Sequence, residues 1–180
     1  MLFNSLDFFI FLPSVFLLYW FVLKKNLRVQ NILLLASSYV FYGWWDFRFL
    51  ALIFISTLVD FFVGLALANE ENQKQRKLLV AISLTVNLGM LGFFKYYNFF
   101  IESWIDVWAA LGVEMHASSL QIILPIGISF YTFQAISYTI DVYRGKQKPE
   151  NNLAIFALYV SFFPQLVAGP IERSMRLLPQ

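Results

Sequence analysis

The stretch LPIGISFYTFQAISYTIDVYRG, residues 124–145, begins as a hydrophobic span and ends in a charged turn. At about 3.6 residues per helical turn, Gly127, Tyr131, Gln134, Tyr138 and Asp141 fall on one narrow face, and Ile126, Phe133, Ile136 and Ile140 on the opposite one. In a membrane such a helix turns its greasy face to lipid and its polar face to a partner helix or a wet cavity. Tyr, Gln and Asp need hydrogen-bond partners in hydrocarbon and rarely face lipid. Two readings stand side by side: a polar seam that locks helices together, or the wall of a cavity.

Outward from this helix, the whole chain has the composition of an integral membrane protein. Its 180 residues are 59% hydrophobic and 19% aromatic, with 13% charged and a mean hydropathy of +0.66. Soluble domains carry about 25% charge. Cysteine is absent, which excludes a disulfide framework, a thiolate nucleophile and a cysteine metal site. A formal charge of +2 without a basic stripe gives no sign of nucleic-acid binding.

The predicted class is all-α: a polytopic membrane protein with five to six transmembrane helices plus one interfacial amphipathic helix. Residues 6–23 form the first span, with Pro13 inside it as an expected bend. No Lys or Arg precedes it and no small-residue cleavage site follows, so it does not read as a signal peptide. Residues 31–45 form a shorter second span, whose Tyr42, Trp44 and Trp45 suit a membrane interface. After a turn at 46–48 come a third span at 49–68, a polar loop at 69–77 and a fourth span at 78–97. Residues 99–111, FFIESWIDVWAAL, carry Glu102 and Asp106 on one side and are too short to cross, so they read as a separate helix lying at the surface. A loop at 112–119 leads to the fifth span, 124–145. The sixth apolar run, 153–168, is interrupted by Pro164 and either crosses or re-enters.

Most of the 13 Lys and Arg lie in three loops: Lys24, Lys25 and Arg28; Lys74, Arg76 and Lys77; Arg144, Lys146 and Lys148. The alternate connections hold only Arg48 and Lys95. The positive-inside rule then predicts a multi-pass protein of the inner or plasma membrane, with these three loops in the cytoplasm and the N-terminus outside. Asp60 and Asn87 sit deep in the third and fourth spans. A charge at the centre of a helix in a membrane costs about 2.5–3.5 kcal/mol on insertion scales, so Asp60 is expected to be protonated or to have a partner, Asn87 being the candidate. The pair reads as an interhelix contact, with a relay or substrate pathway as the alternative.

Soluble-enzyme motifs are missing: no G-x-G-x-x-G, Walker loop or G-x-S-x-G elbow occurs. The single histidine, His116, reads as a solvated loop residue, Glu70 and Glu71 as a solvated face beside Lys74. No metal site is expected.

Taken together, 124–145 and FFPQLVAGPIER at 162–173 resemble the membrane-bound O-acyltransferase family, in the branch that O-acetylates alginate, other exopolysaccharides and cell-wall polymers. MLFNSLDFFIFLP at 1–13, FYGWWDFRFL at 41–50, VDFFVG at 59–64 and GFFKYYNFF at 92–100 fit the same branch, in order along nearly the whole chain. The resemblance implies residues 1–180 as the N-terminal part of one membrane domain. It implies acetyl transfer from a cytoplasmic thioester donor, acetyl-CoA or another acyl thioester, to a hydroxyl acceptor or a relay protein. Implied partners are membrane lipid, periplasmic or extracellular acetyl-relay or acetyltransferase proteins, and a polysaccharide acceptor, with alginate, another exopolysaccharide, peptidoglycan and teichoic acid all open. No tightly bound cofactor is expected.

The family's catalytic residue is a membrane-embedded histidine, plausible as the base for the acceptor hydroxyl, in a region C-terminal to the GPIER-like block. The sequence stops at Gln180, just beyond that block, and His116 matches neither motif nor setting. The expectation is therefore a truncated chain with no catalytic residue of its own, inactive by itself. Acyl transfer across a bilayer needs a cavity, and irregular backbone at membrane depth is tolerated where it lines one. Candidates for its wall are Gln165, Gly169, Pro170, Glu172 and Arg173, where the sixth run breaks down, together with Tyr131, Gln134, Tyr138 and Asp141. An ordinary helix stop at Gly169-Pro170, with Arg173 and Arg176 snorkelling to the interface, is the plainer reading. Two further functions compete. A transporter or flippase subunit would use the polar-faced helices as a pathway, against which no repeat between halves is visible. A non-catalytic scaffold would hold an acetylation partner through the outer helix.

Overall fold

Polar side chains set where the helices begin. In the computed structural model, which describes residues 5–112, 124–125, 127–169 and 172–178, every regular element is helical. Ser5 accepts a hydrogen bond from the Phe8 amide and opens α1, Leu6–Leu17. A π-helical turn, Leu18–Val22, extends it. Asn26 accepts from Arg28 and Val29 and opens α2, Leu27–Gly43. Helix α3 is Arg48–Asn69. Asn72 accepts from Lys74 and opens α4, Gln73–Ala110. After α5, Ile128–Tyr143, Asn152 accepts from Ala154 and Ile155 and opens α6, Leu153–Ser161. Such caps contribute about 1 kcal/mol each by satisfying amides that have no partner inside the helix. Two short helices follow: α7, Phe163–Ala168, and α8, Ser174–Leu177.

Among the described residues, two helices are long and apolar enough to cross a membrane. The 22 residues of α3 reach about 33 Å, and the 38 residues of α4 about 57 Å, against a hydrocarbon core near 30 Å. Helix α4 corrects the sequence reading at 99–111. Instead of a separate interfacial helix, that segment continues α4 without a break. Nothing between Gly92 and Gly112 stops a helix, since Lys, Tyr, Asn, Glu and Trp all propagate it. The turn comes at Gly112, whose φ of 79° suits glycine alone. The acidic residues Glu102 and Asp106 thus lie on the last turns of α4, with Phe99, Phe100 and Trp104 exposed beside them. The loop expected at 112–119, His116 included, lies outside the described residues beyond Gly112, as do Ile126 and Pro170.

The core forms where α5 packs on α3 and α4 and meets α6, with α2 lying along α6 and α7. Helices α3 and α5 run parallel, Asp60 lying beside Thr139 and the C-terminal ends of both meeting at Arg76, while α4 runs antiparallel to α3, with Ser83 against Asp60 and Asn87 against Ser56. Aromatic rings fill the joints. Tyr138 and Phe156 lie 4.5 Å apart, and Phe163 contacts both Phe11 and Phe41. Tyr42, expected at the interface, is instead a core residue, although Trp44 and Trp45 are exposed. Ile136, expected to face lipid opposite the polar stripe, is also buried, because α5 is enclosed on more than one side; Phe133 remains exposed.

Candidate functional site

Asp60 on α3 is buried between three helices and hydrogen-bonded to polar side chains of the other two. Ser83 of α4 and Thr139 of α5 donate their hydroxyls to its Oδ1, the latter at 2.8 Å. Asn87 donates from Nδ2 to Oδ2 at 2.7 Å and to the Ser83 carbonyl at 3.0 Å. Ser56 donates to Asn87 Oδ1 at 2.6 Å. All five side chains are buried, Asp60 and Asn87 at 0% exposure. The structure thus brings together the two polar residues singled out from sequence and adds Ser56, Ser83 and Thr139, which were not. A signal for two of them existed. Ser56 precedes Asp60, and Ser83 precedes Asn87, by four residues, the spacing that stacks side chains on one helix face.

Along α5 the polar stripe points inward throughout: Tyr131, Gln134, Tyr138 and Asp141 are all buried. Gly127 caps the helix with φ 77°, and a Cβ there would sit 2.9 Å from the Leu166 carbonyl oxygen of α7. Glycine is required on both counts. Tyr131 buries its hydroxyl without a partner, as do Thr57 of α3 and Thr132 of α5. The Tyr138 hydroxyl accepts from the Glu150 amide at 3.0 Å. Gln134 donates from Nε2 to the Tyr159 carbonyl at 2.7 Å.

That last bond follows from the interruption after α6. Within a continuous helix the Tyr159 carbonyl would accept from the amide of Phe163. Here the chain bends out of helix at Phe162, with ψ 107°, and the Phe163 amide turns to Ser38 Oγ of α2 at 3.3 Å. Pro164, lacking an amide hydrogen, sits in the first turn of α7, where none is needed. Gln134 occupies the carbonyl that the break sets free. The sixth apolar run is therefore two helices of nine and six residues, neither long enough to cross a ~30 Å core on its own.

The second set of candidates surrounds the end of α7. Gln165 is buried, and its carbonyl accepts from the Gly169 amide at 3.0 Å. A Cβ on Gly169 would come within 2.8 Å of the Gln165 Cα, so the chain can leave α7 this tightly only at glycine. Glu172 and Arg173 line an open cavity of about 420 Å³ with Met175 and Arg176. Buried Ser174 donates to Gln147 Oε1 at 2.6 Å, tying α8 to the loop after α5.

The charged ends of the bundle behave differently from its middle. Between α2 and α3, Arg48 bonds Asp46 through its side chain, at 2.6–3.0 Å, and through its backbone amide, at 2.9 Å. These bonds hold the Asp46 carboxyl below the usual carboxylate range. At the opposite end Arg76 acts as a clamp. Its Nη1 donates to the carbonyls of Leu67 and Glu70 at the end of α3, and its Nη2 to the Tyr143 carbonyl of α5 at 2.8 Å. The guanidinium also stands 5.4 Å from the Tyr143 ring centre, and Gln73 donates to the Tyr143 hydroxyl at 3.1 Å. Cations suit helix C-termini, where carbonyls lack partners. Among the described residues, no group of three or more His, Cys, Asp or Glu is arranged to hold a metal ion.

Known proteins match this chain over its full length. It is 42% identical over 183 residues to a probable alginate O-acetylase of Azotobacter vinelandii and 41% identical over 183 residues to one of Pseudomonas aeruginosa. It is 34% identical over 208 residues to a peptidoglycan O-acetyltransferase of Helicobacter pylori. The match covers all of this chain but 36%, 34% and 38% of those proteins respectively, in their N-terminal part. No family model and no solved structure matches.

Proposed function

Because the chain belongs to the membrane-bound O-acyltransferase family, matching the N-terminal part of members that O-acetylate alginate or peptidoglycan, we propose that it is a membrane component of polysaccharide O-acetylation. The observation that carries this reading is the 42% identity running through all of the chain. The acetyl group would come from a cytoplasmic thioester donor, acetyl-CoA or another acyl thioester, and pass to a hydroxyl on the polymer or on an extracytoplasmic relay protein. In the transfer step a hydroxyl oxygen attacks the thioester carbonyl carbon while a base takes the hydroxyl proton, the carbon–sulfur bond breaks, and the departing thiolate receives that proton to leave as the thiol. No described residue is assigned as that base.

In this reading the chain sits in the inner or plasma membrane with five to six crossings and its N-terminus outside, the basic ends of α1, α3 and α5 facing the cytoplasm. The part played by its residues is to build and hold the wall of the transfer cavity. Tyr131, Gln134, Tyr138 and Asp141 give α5 a polar face that its neighbours fix in place. Gln165, Gly169, Pro170, Glu172 and Arg173 shape the broken segment beside it. The Asp60 network supports the wall from behind by joining α3, α4 and α5 at one depth. Irregular backbone such as the α6–α7 break is tolerated at membrane depth when protein or cavity, not lipid, surrounds it.

The test is deletion of the gene from its host, with ester-linked acetate measured on the purified surface polysaccharide after mild alkaline release. The expected result is loss of O-acetyl ester with polymer yield maintained, and recovery on complementation. Unchanged ester content would refute the reading. Loss of the polymer itself would favour a transporter.

A further inference from the structure

We infer that the groove between the end of α3, the start of α4 and the loop after α5 is a binding site for a phosphate-bearing anion. Leu67, Ala68, Arg76, Val142 and residues 145–149 line a cavity of about 490 Å³, open to one side, that contains three cations (Arg76, Lys146 and Lys148) and no carboxylate. Lys146, Gln147 and Lys148 also line an adjoining cavity of about 410 Å³ with Ser174 and Glu150, its one carboxylate, whose Oε1 accepts from the Asn152 amide at 2.8 Å. Among the described residues neither Lys146 nor Lys148 has a carboxylate within ion-pair distance. Arg76 spends its donors on neutral carbonyls, so its charge too is unmatched by an acid.

The loop is built rather than loose. Gly145 takes φ 68°, its amide bonds the Val142 carbonyl at 3.0 Å, and the Lys146 amide bonds the Asp141 carbonyl at 2.9 Å. This is the Schellman closure, which only glycine enters without strain, and it fixes Lys146 relative to the last turn of α5. The observation that points to a ligand is Gln147. Its Oε1 is occupied by the Ser174 hydroxyl, while its Nε2 is buried with no acceptor. An amide donor left over between two lysines, beside a groove where three cations face no carboxylate and Glu150 lies only in the adjoining cavity, matches the several oxygen acceptors and the negative charge of a phosphate.

The phosphate can come from an anionic lipid headgroup, since the groove lies at the charged end of membrane-length helices, or from a soluble phosphorylated molecule. The proposal does not depend on acetyl transfer, and its failure would leave that reading intact. The protein expressed from its own gene is reconstituted in phosphatidylcholine nanodiscs. Its thermal unfolding is followed on adding inorganic pyrophosphate in one arm and on including phosphatidylglycerol in the other. Stabilisation by either probe is expected. The Lys146→Gln/Lys148→Gln variant should bind it about thirtyfold more weakly, each lysine near a charged surface contributing about fivefold. Gln147→Glu keeps an acceptor for Ser174 and places a negative charge in the groove, so it too should abolish the effect. A response to phosphatidylglycerol alone assigns a lipid, and a response to pyrophosphate alone a soluble ligand. No stabilisation of the unmodified protein, or equal stabilisation of the variants, overturns the proposal.

Discussion

Replacing Asp60 tests whether the three longest-packed helices are joined by hydrogen bonds or only by contact. Its carboxylate accepts three bonds, from Ser83 and Thr139 on Oδ1 and from Asn87 on Oδ2. Between membrane helices such bonds contribute about 0.6 kcal/mol on average and about 1.7 at most. Asp60→Leu removes all three, a loss of about 2 kcal/mol, or roughly 4–8 °C in melting temperature for a domain of this size. Asp60→Asn can turn its oxygen toward Ser83 and Thr139, but its amide then meets Asn87 Nδ2, donor against donor. One bond is lost, so the expected shift is about 1–3 °C. Lower cost of placing Leu in hydrocarbon does not reverse the order, because the chain stays in the micelle when it unfolds. The assay is thermal unfolding of the purified protein in detergent, followed by tryptophan fluorescence, for Asp60→Leu, Asp60→Asn, Ser83→Ala and the Asp60→Leu/Ser83→Ala pair. Residues sharing a bond should be less costly to remove together than the sum of their separate losses. An Asp60→Leu protein that melts at or above the unmodified temperature, or strictly additive losses, would refute the network.

Gly64→Ala should cost about 1–3 kcal/mol, because its Cβ would lie 2.8 Å from the hydroxyl oxygen of buried Tyr138. Gly89→Ala on α4 meets nothing within 4 Å and should be neutral or gain about 0.5–1 kcal/mol; melting temperatures in the reverse order would rule out the packing described. Gln134→Leu leaves the Tyr159 carbonyl without its side-chain donor; in the protein expressed from its gene, acetyl transfer is expected to fall while membrane abundance holds. Unchanged transfer would make that residue a helix-to-helix contact and nothing more. The Asp46 carboxyl, followed by carboxyl-carbon NMR, should titrate below the usual carboxylate range, since its bonds to Arg48 favour the charged form. Its contribution to the turn is then present above the unfolded value and is lost as pH falls through the lower folded one. Arg48→Met should raise the midpoint part of the way back, since the backbone amide of residue 48 still bonds the carboxylate.

Much of the helical layout was readable because apolar runs in lipid have few alternatives: a backbone there must satisfy itself. The span at 6–23 became α1 and its π turn, and that at 49–68 became α3. The reading of 99–111 failed for a reason of principle. Amphipathic pattern and short length point to a separate helix, yet both describe equally well the protruding end of a longer one. Only a stop signal distinguishes the cases, and the first after Gly92 is Gly112. The polar face of α5 was legible as a face, but not its neighbours. Gln134 serves the Tyr159 carbonyl, 25 residues further on, which the break after α6 exposes, and Pro164 signals the break without saying which donor answers it. Arg76 was read only as a unit of positive charge. Its role as a clamp depends on the ends of α3 and α5 converging, which is a property of packing.

The parallel pairing of α3 with α5 is what the rest of the bundle depends on. In lipid, helices gain little from hydrophobic burial against one another, so association falls to close packing and polar contacts. Along this pair each level has one. Asp60 meets Thr139, Gly64 lets Tyr138 approach, and Arg76 of α4 takes carbonyls from both C-terminal ends. The contacts differ in what can undo them. Those at Asp60 and Gly64 lie among buried side chains, whereas Arg76 borders an open groove with two unpaired lysines. An anion bound there would draw on the same guanidinium charge that now serves only carbonyls. The charged end of the pair is therefore where a ligand can reach the helix carrying Gln134 and Tyr138 without entering the membrane.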